Sequence, residues 1–262
     1  HRFAGVLHFA AFIQVGESVA DPAKYYLNIT LGALRLLEAA RGHDCRAVVF
    51  SSTAAVYGTP DSVPIPVTAP LRPENPYGRS KLMVEQMLRD FDAAYGLRHA
   101  ILRYFNAAGA DPDGELGEEH TPETHLVPLA VLAALGRAPA LKVFGDDWDT
   151  PDGTPLRDYI HVTDLAQAHV LALRHLLERD ASLVCNLGTG QGHSVREIID
   201  AVRRVGGQEV PHQMAARRAG DVARLVADVA GTAELLGWRP KITEVDGIVE
   251  SAWRWHARRA GI

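Results

Sequence analysis

Four short apolar runs punctuate the first two-thirds of the chain, at residues 5–10, 47–52, 100–105 and 183–187. They are nearly continuous in Val, Leu, Ile and Phe rather than alternating, as strands buried on both faces should be. Between them lie stretches with helical periodicity. Asp21-Pro22 supplies a cap and a first-turn proline for a helix over 22–40 that stops before Gly42. A second helix is predicted from Pro76 to Tyr95, ending at Gly96. A third, over 163–178, carries Leu165, Ala168, Ala172 and Leu176 on one stripe. Strands alternating with helices in this rhythm predict an α/β fold with a doubly wound, Rossmann-like parallel sheet. The chain opens at His1, not Met, and enters a buried-strand pattern at once. We therefore expect a sheet whose first strands precede this sequence.

Beyond residue 107 the pattern changes. Residues 111–114 and 146–155 are acidic and rich in turn formers, as loops are. Ser194-Val195-Arg196-Glu197 is a capping box that opens a helix to Val205, closed by Gly206-Gly207. Residues 211–221 read as an extended loop, followed by helices near 229–236 and 245–258. The expected division is a sheet domain from 1–106 and 156–190, with a smaller α/β cap from 107–155 and 191–262.

Composition narrows the function. A net charge of −5 gives no footprint for nucleic acid. No apolar run reaches the ~18 residues needed to cross a membrane, and no leader is recognisable. Cys45 and Cys185 sit far apart in apolar surroundings and read as reduced core thiols. These features predict a cytoplasmic protein. The 12 histidines show no familiar metal-ligand spacing, so no metal is expected.

The densest chemistry lies in Asn75-Pro76-Tyr77-Gly78-Arg79-Ser80-Lys81. Four residues apart on a helix, Tyr77 and Lys81 share a face. Free tyrosine is a poor base at neutral pH, with a pKa of about 10, and a neighbouring cation favours its phenolate. The chain has only four lysines, and chance would supply about 0.1 such pairs, so one match is informative without being decisive. A solvated i,i+4 pair fits the spacing equally well. Phe50-Ser51-Ser52-Thr53 ends a predicted strand, where ligands bind in doubly wound sheets; ordinary turn chemistry explains the hydroxyls too. His8-Phe9-Ala10-Ala11 and Arg103-Tyr104-Phe105-Asn106 end two further strands. Convergence of these strand ends on one crevice with the start of the Tyr77 helix favours a site. Arg157 and the Arg217-Arg218 pair suit bidentate phosphate binding, with a solvated charge run as the alternative for the latter.

Taken together these segments resemble the extended short-chain dehydrogenase/reductase family, and closely its UDP-glucose 4-epimerases. Matching stretches include His8-Phe9-Ala10-Ala11, Val15-Gly16-Glu17-Ser18 and residues 50–58, 76–85, 103–109, 157–165, 186–188 and 217–221. The resemblance implies NAD as cofactor, a UDP-sugar substrate and reversible C4 epimerisation through a transient 4-keto sugar. Tyr77 would be the base, Lys81 would bond the nicotinamide ribose and lower the Tyr77 pKa, and Thr53 would bond the sugar O4. Phe9, Ala10, Asn28, Ser51 and Tyr104 would touch NAD. Arg157 and Arg218 would clamp the diphosphate, with Asn106, Leu126, Phe144 and Asp221 lining the nucleotide-sugar site. Homodimerisation through the helices at 22–40 and 76–95 is also implied.

There are departures. The glycine-rich phosphate turn is not in this sequence, so weak NAD binding and a catalytically incompetent fragment form the rival expectation. Ile13 stands where the family has a lysine. Leu225 stands where tyrosine is common, which predicts tolerance of N-acetylated sugars such as UDP-GlcNAc; epimerisation of UDP-xylose/arabinose or UDP-glucuronate is a separate alternative within the family. Ala54-Ala55 after Thr53 argues against dehydration, for which related enzymes place acids there.

Overall fold

The structure is a computed structural model that describes residues 2–218 and 220–261. In chain order the elements are β1 (Gly5–His8), α1 (Val15–Ala20), α2 (Pro22–Tyr25), α3 (Gly32–Gly42), β2 (Ala47–Ser51), α4 (Pro76–Tyr95) and β3 (Arg98–Tyr104). Then come β4 (Asn106–Ala108), α5 (Leu126–Ala134), β5 (Leu141–Phe144), β6 (Leu156–Arg157), β7 (Tyr159–His161), α6 (Val162–Arg179) and β8 (Leu183–Leu187). The remainder is β9 (His193–Ser194), α7 (Val195–Gly206), β10 (His212–Ala215), β11 (Arg224–Leu225), α8 (Ala230–Leu236) and α9 (Val245–Ala260).

The chain forms two compact units. Unit 1 is His1–Tyr104, Ala166–Leu187 and Asp228–Arg239; unit 2 is Phe105–Leu165, Gly188–Ala227 and Pro240–Ile262. Unit 1 holds a parallel sheet in the order β1-β2-β3-β8. All five β2 residues are buried, as the unbroken apolar run requires. Val48, Phe50 and Ile101 pack with Tyr25, Ile29 and Leu37 from the helical layer and with Val84 and Leu88 of α4. α4 starts where predicted: Asn75 accepts a hydrogen bond from Gly78 N at 2.9 Å, Pro76 fills the first turn, and Gly96 ends the helix in the left-handed region at φ 69°. The single helix predicted over 22–40 is instead α2 and α3 joined by a π-helical turn, Tyr26–Leu31. Such a turn adds a residue to the coil and shifts the faces on either side of it.

Unit 2 carries three small sheets, β10-β5, β11-β6-β9 and β4-β7. Its core packs α5, α7 and α9 against Leu141, Val143 and Tyr159. The predicted capping box is present: Ser194 Oγ accepts from Glu197 N, and Glu197 Oε2 accepts from Ser194 N at 2.7 Å. The segment expected as an extended loop at 211–221 contributes β10, which pairs in parallel with β5.

Two stretches group differently from the expected division. Residues 156–165 belong with unit 2, because β6 and β7 pair with β11, β9 and β4. Residues 228–239 belong with unit 1, because α8 rests on β8 and Thr232 Oγ1 donates to Asn186 O at 2.7 Å.

Candidate active site

In unit 1 the carboxyl ends of β1, β2 and β3 and the first turns of α4 bring the predicted residues together. Tyr77, Lys81 and Thr53 are all buried. The Thr53 side chain lies near enough to the Tyr77 phenol to favour its ionised form. The Thr53 oxygen accepts from Ala55 N at 3.1 Å, capping a 3-10 turn over Ala54–Val56 and fixing its rotamer. Lys81 Nζ donates to Ser51 O at 2.7 Å and lies 5.9 Å from the Tyr77 ring centroid. The Ser51 hydroxyl bonds His169 Nε2 at 2.8 Å. Beyond it the Phe9 ring stacks obliquely on His169 with centroids 4.7 Å apart. Ala10 is exposed at the same strand end. Asn28, in the π-helical turn, accepts from Phe12 N at 3.0 Å and so pins the segment after β1. Tyr25 meets the Tyr77 ring edge-on.

The electrostatics differ from the expectation in one respect. Burial pushes the Tyr77 pKa up, with Tyr104 and Tyr25 adding to it; Thr53 opposes, and Lys81 is not among the groups that move it. Burial also pulls Lys81 down, to about 8. Desolvation of two groups this deep outweighs their mutual effect.

A buried network beneath these residues escaped the sequence reading. Arg103 Nε and Nη2 donate to Glu85 Oε1 and Oε2 at 3.0 and 2.6 Å, and Ser52 Oγ donates to Glu85 Oε1 at 2.7 Å. Arg103 Nη1 reaches the Tyr57 hydroxyl and Val67 O, each at 3.0 Å. Ser52 lies between Ser51, which holds Lys81, and Thr53, so the network fixes the strand exit. A lone arginine inside the apolar run at 100–105 was the available signal.

Unit 2 gathers most of the predicted nucleotide-site residues. Arg218 forms a two-pronged pair with Asp221, at 3.2 and 2.9 Å, and its guanidinium lies 5.4 Å from the Phe144 ring centroid. Arg157 stands opposite Leu225 in the β11–β6 pair. Burial lowers the Arg157 pKa, and the nearby Asp221 and Tyr159 raise it. Asn106 pairs with Tyr159 across β4–β7, and Leu126 opens α5 against the core; these two sit on other elements. Asp158, also missed, anchors this region. It accepts from Thr189 N and Oγ1, Gly190 N and Ala227 N at 2.8–3.1 Å. A Cβ at Gly188 would lie 2.4 Å from its Oδ2, so only glycine fits there.

A buried phenol, hydroxyl and ammonium at the rim of a parallel sheet fit the class of hydride-transferring enzymes that use a dinucleotide. The comparisons agree with that class. Residues 1–188 match the NAD dependent epimerase/dehydratase family. The UDP-glucose 4-epimerase of Azospirillum brasilense is 56% identical over 97% of this chain and 73% of its own length. The crystal structure of UDP-glucose 4-epimerase from Brucella ovis in complex with NAD is 55% identical with a TM-score of 0.93, covering 96% of this chain and 77% of that one. The Bifidobacterium longum enzyme, solved with NAD+ and UDP, is 41% identical with a TM-score of 0.95 over 99% and 78%. The chain belongs to the NAD dependent epimerase/dehydratase family.

Proposed function

We propose that this chain inverts C4 of a UDP-hexose reversibly, interconverting UDP-glucose and UDP-galactose with NAD. The observation that carries this reading is the burial together of Tyr77, Thr53 and Lys81, with the Lys81 ammonium 5.9 Å from the Tyr77 ring centroid. The unit 1 residues fit NAD. Lys81 spends one ammonium hydrogen on Ser51 O, which leaves donors for ribose hydroxyls. Ser51, Tyr77 and Tyr104 add hydroxyls, and Phe9, Ala10 and Asn28 offer a partly apolar rim. When bound, NAD would supply the hydride acceptor and donor for C4.

The remaining steps belong to the chain. Tyr77 takes the proton from the sugar 4-hydroxyl as the 4-keto sugar forms, and gives it back as the alcohol is restored. Burial keeps the phenol protonated in the free site, so the base form must be drawn out as the site fills; Thr53 is the group here that favours it. Its hydroxyl also orients O4. Arg157 and Arg218 hold the diphosphate, with Phe144, Asp221, Asn106 and Leu126 around the nucleotide and sugar. Arg218 exchanges part of its pairing with Asp221 for phosphate oxygens.

Leu225 opposite Arg157 supports a second reading, in which the sugar carries an N-acetyl group. Leucine fills less space than tyrosine, so UDP-GlcNAc should turn over at a rate comparable with UDP-glucose. A thousand-fold preference for glucose would defeat that reading alone. The homodimer is proposed through the α2–α3 run and α4, where Leu27 and Met83 expose apolar side chains; light scattering gives the mass. Among the described residues no helix is long and apolar enough to cross a membrane, and a cytoplasmic location is proposed. The deciding assay converts UDP-galactose to UDP-glucose, read by coupled oxidation of the product. A 4-keto-6-deoxy sugar released instead would mean a dehydratase.

A further inference from the structure

We propose that Glu118, His120, Glu123 and His125 of unit 2 form a binding site for one borderline divalent cation of the zinc type. The expectation of no metal rested on the lack of a full cysteine–histidine motif; the run Glu118-Glu119-His120-Thr121-Pro122-Glu123-Thr124-His125 has only the histidine half, His120 and His125 with four residues between them. Folding brings its donors together all the same. One ligand atom from each residue lies within 4.8 Å of all the others.

The separations, taken to either oxygen of Glu123, lie near those of a tetrahedral donor set. His120 Nδ1 is 3.0 Å from Glu118 Oε1 and 3.6 Å from Glu123 Oε2, and His125 Nδ1 is 3.5 Å from Glu123 Oε1. Around a zinc with bonds of about 2.1 Å, neighbouring donor atoms stand about 3.4 Å apart. A fourth contact, between His125 Nδ1 and Glu118 Oε1, is tighter and would open by a small rotation of the Glu118 side chain. Imidazole and carboxylate donors in a two-and-two set suit zinc rather than magnesium or calcium, which prefer all-oxygen cages.

Two features show that the donors are held rather than merely near. The Glu123 side chain is 9% exposed, and its Oε1 accepts from Thr124 N and His125 N at 2.7 and 2.9 Å. Such outer hydrogen bonds orient ligating carboxylates. The segment is also seated on α9: Trp255 Nε1 donates to Glu118 O at 3.1 Å, and a Cβ at Gly117 would lie 2.3 Å from the Trp255 ring. The cation would tie down the eight residues that lead into α5, whose N-cap His125 lacks a side-chain cap.

The test titrates tag-free, EDTA-stripped protein with Zn²⁺ and Co²⁺, by calorimetry and by the visible spectrum of cobalt. One equivalent should bind, with the intense bands of tetrahedral cobalt, and zinc should raise the melting temperature. Glu118→Gln and His120→Gln should each weaken zinc by about 100-fold or more and cancel the thermal shift. Glu118→Gln is isosteric, and circular dichroism of both variants shows whether the fold survives. Absence of stoichiometric uptake at tenfold excess, or equal affinity in wild type and both variants, overturns the site. Neither NAD nor a sugar enters the experiment, so its outcome is independent of the epimerase reading.

Discussion

The two units solve different problems with the same residue types. In unit 1 an arginine and a glutamate pair in full burial, Arg103 at 2% and Glu85 at 0% side-chain exposure. In unit 2 an arginine and an aspartate pair nearer the surface, Arg218 at 58% and Asp221 at 17%. The first pair supports the segment that carries Ser51 and Thr53, where proton transfer demands placement within a fraction of an ångström. The second sits in a loop, where a guanidinium can leave its partner for a phosphate. On the proposed reading, rigidity accompanies the chemistry and exchangeable pairing accompanies the capture of substrate.

Tests of this contrast run from large effects to small. Tyr77→Phe should lower kcat by about 10³- to 10⁴-fold with an unchanged melting curve, since the ring stays and only the hydroxyl is lost. A loss under tenfold would show that another group moves the proton. Glu85→Gln should cost about 3–5 kcal/mol in urea denaturation by stranding the buried guanidinium, and the Glu85→Met/Arg103→Met double variant should recover most of it. Thr53→Val should reduce kcat by about 100-fold while Thr53→Ser retains most activity, as expected if the hydroxyl rather than the methyl is used. Arg218→Ala should leave stability within about 0.5 kcal/mol, as for exposed pairs generally, yet raise KM for the nucleotide sugar about tenfold or more.

The finest test concerns pH. Lys81 titrates near 8 in the folded chain, below the ordinary lysine value of about 10.4 in the unfolded one. Its burial therefore costs stability in full below pH 8, and that cost is relieved as pH rises from 8 toward 10.4, where the unfolded state binds more protons. Lys81→Met should be more stable than the parent at pH 7, with the gap narrowing over this window. A gap constant with pH would mean that Lys81 is already well solvated or paired.

Much of unit 1 was legible because it is regular. Continuous apolar runs gave β2 and β8 nearly to the residue, and Asn75-Pro76 with Gly96 bounded α4. The Tyr77–Lys81 face followed from helical spacing alone. What could not be read was tertiary. The π-helical turn at Tyr26–Leu31 leaves no mark in a 3.6-residue pattern, since it is set by packing. β10, a four-residue strand with three exposed residues, shows no apolar run and so reads as loop. β6 and β11, two residues each, have no periodicity at all, and only their pairing assigns them. The roles of Glu85, Asp158 and the Glu118–His125 cluster rest on partners 18 residues away, 31 residues away, or in a run with only the histidine half of a zinc motif. How far burial offsets Lys81 at Tyr77 cannot be judged from a heptapeptide.

The Glu85–Arg103 pair has a consequence for how such a sequence can drift. Each member alone is worse than neither, so a lineage crossing from this pair to two apolar residues must pass through a crippled intermediate or change both together. Ser52 and Tyr57, tied to the same charges, raise that barrier further. Position 85 should accordingly vary in step with position 103, far more than either does with its neighbours along the chain.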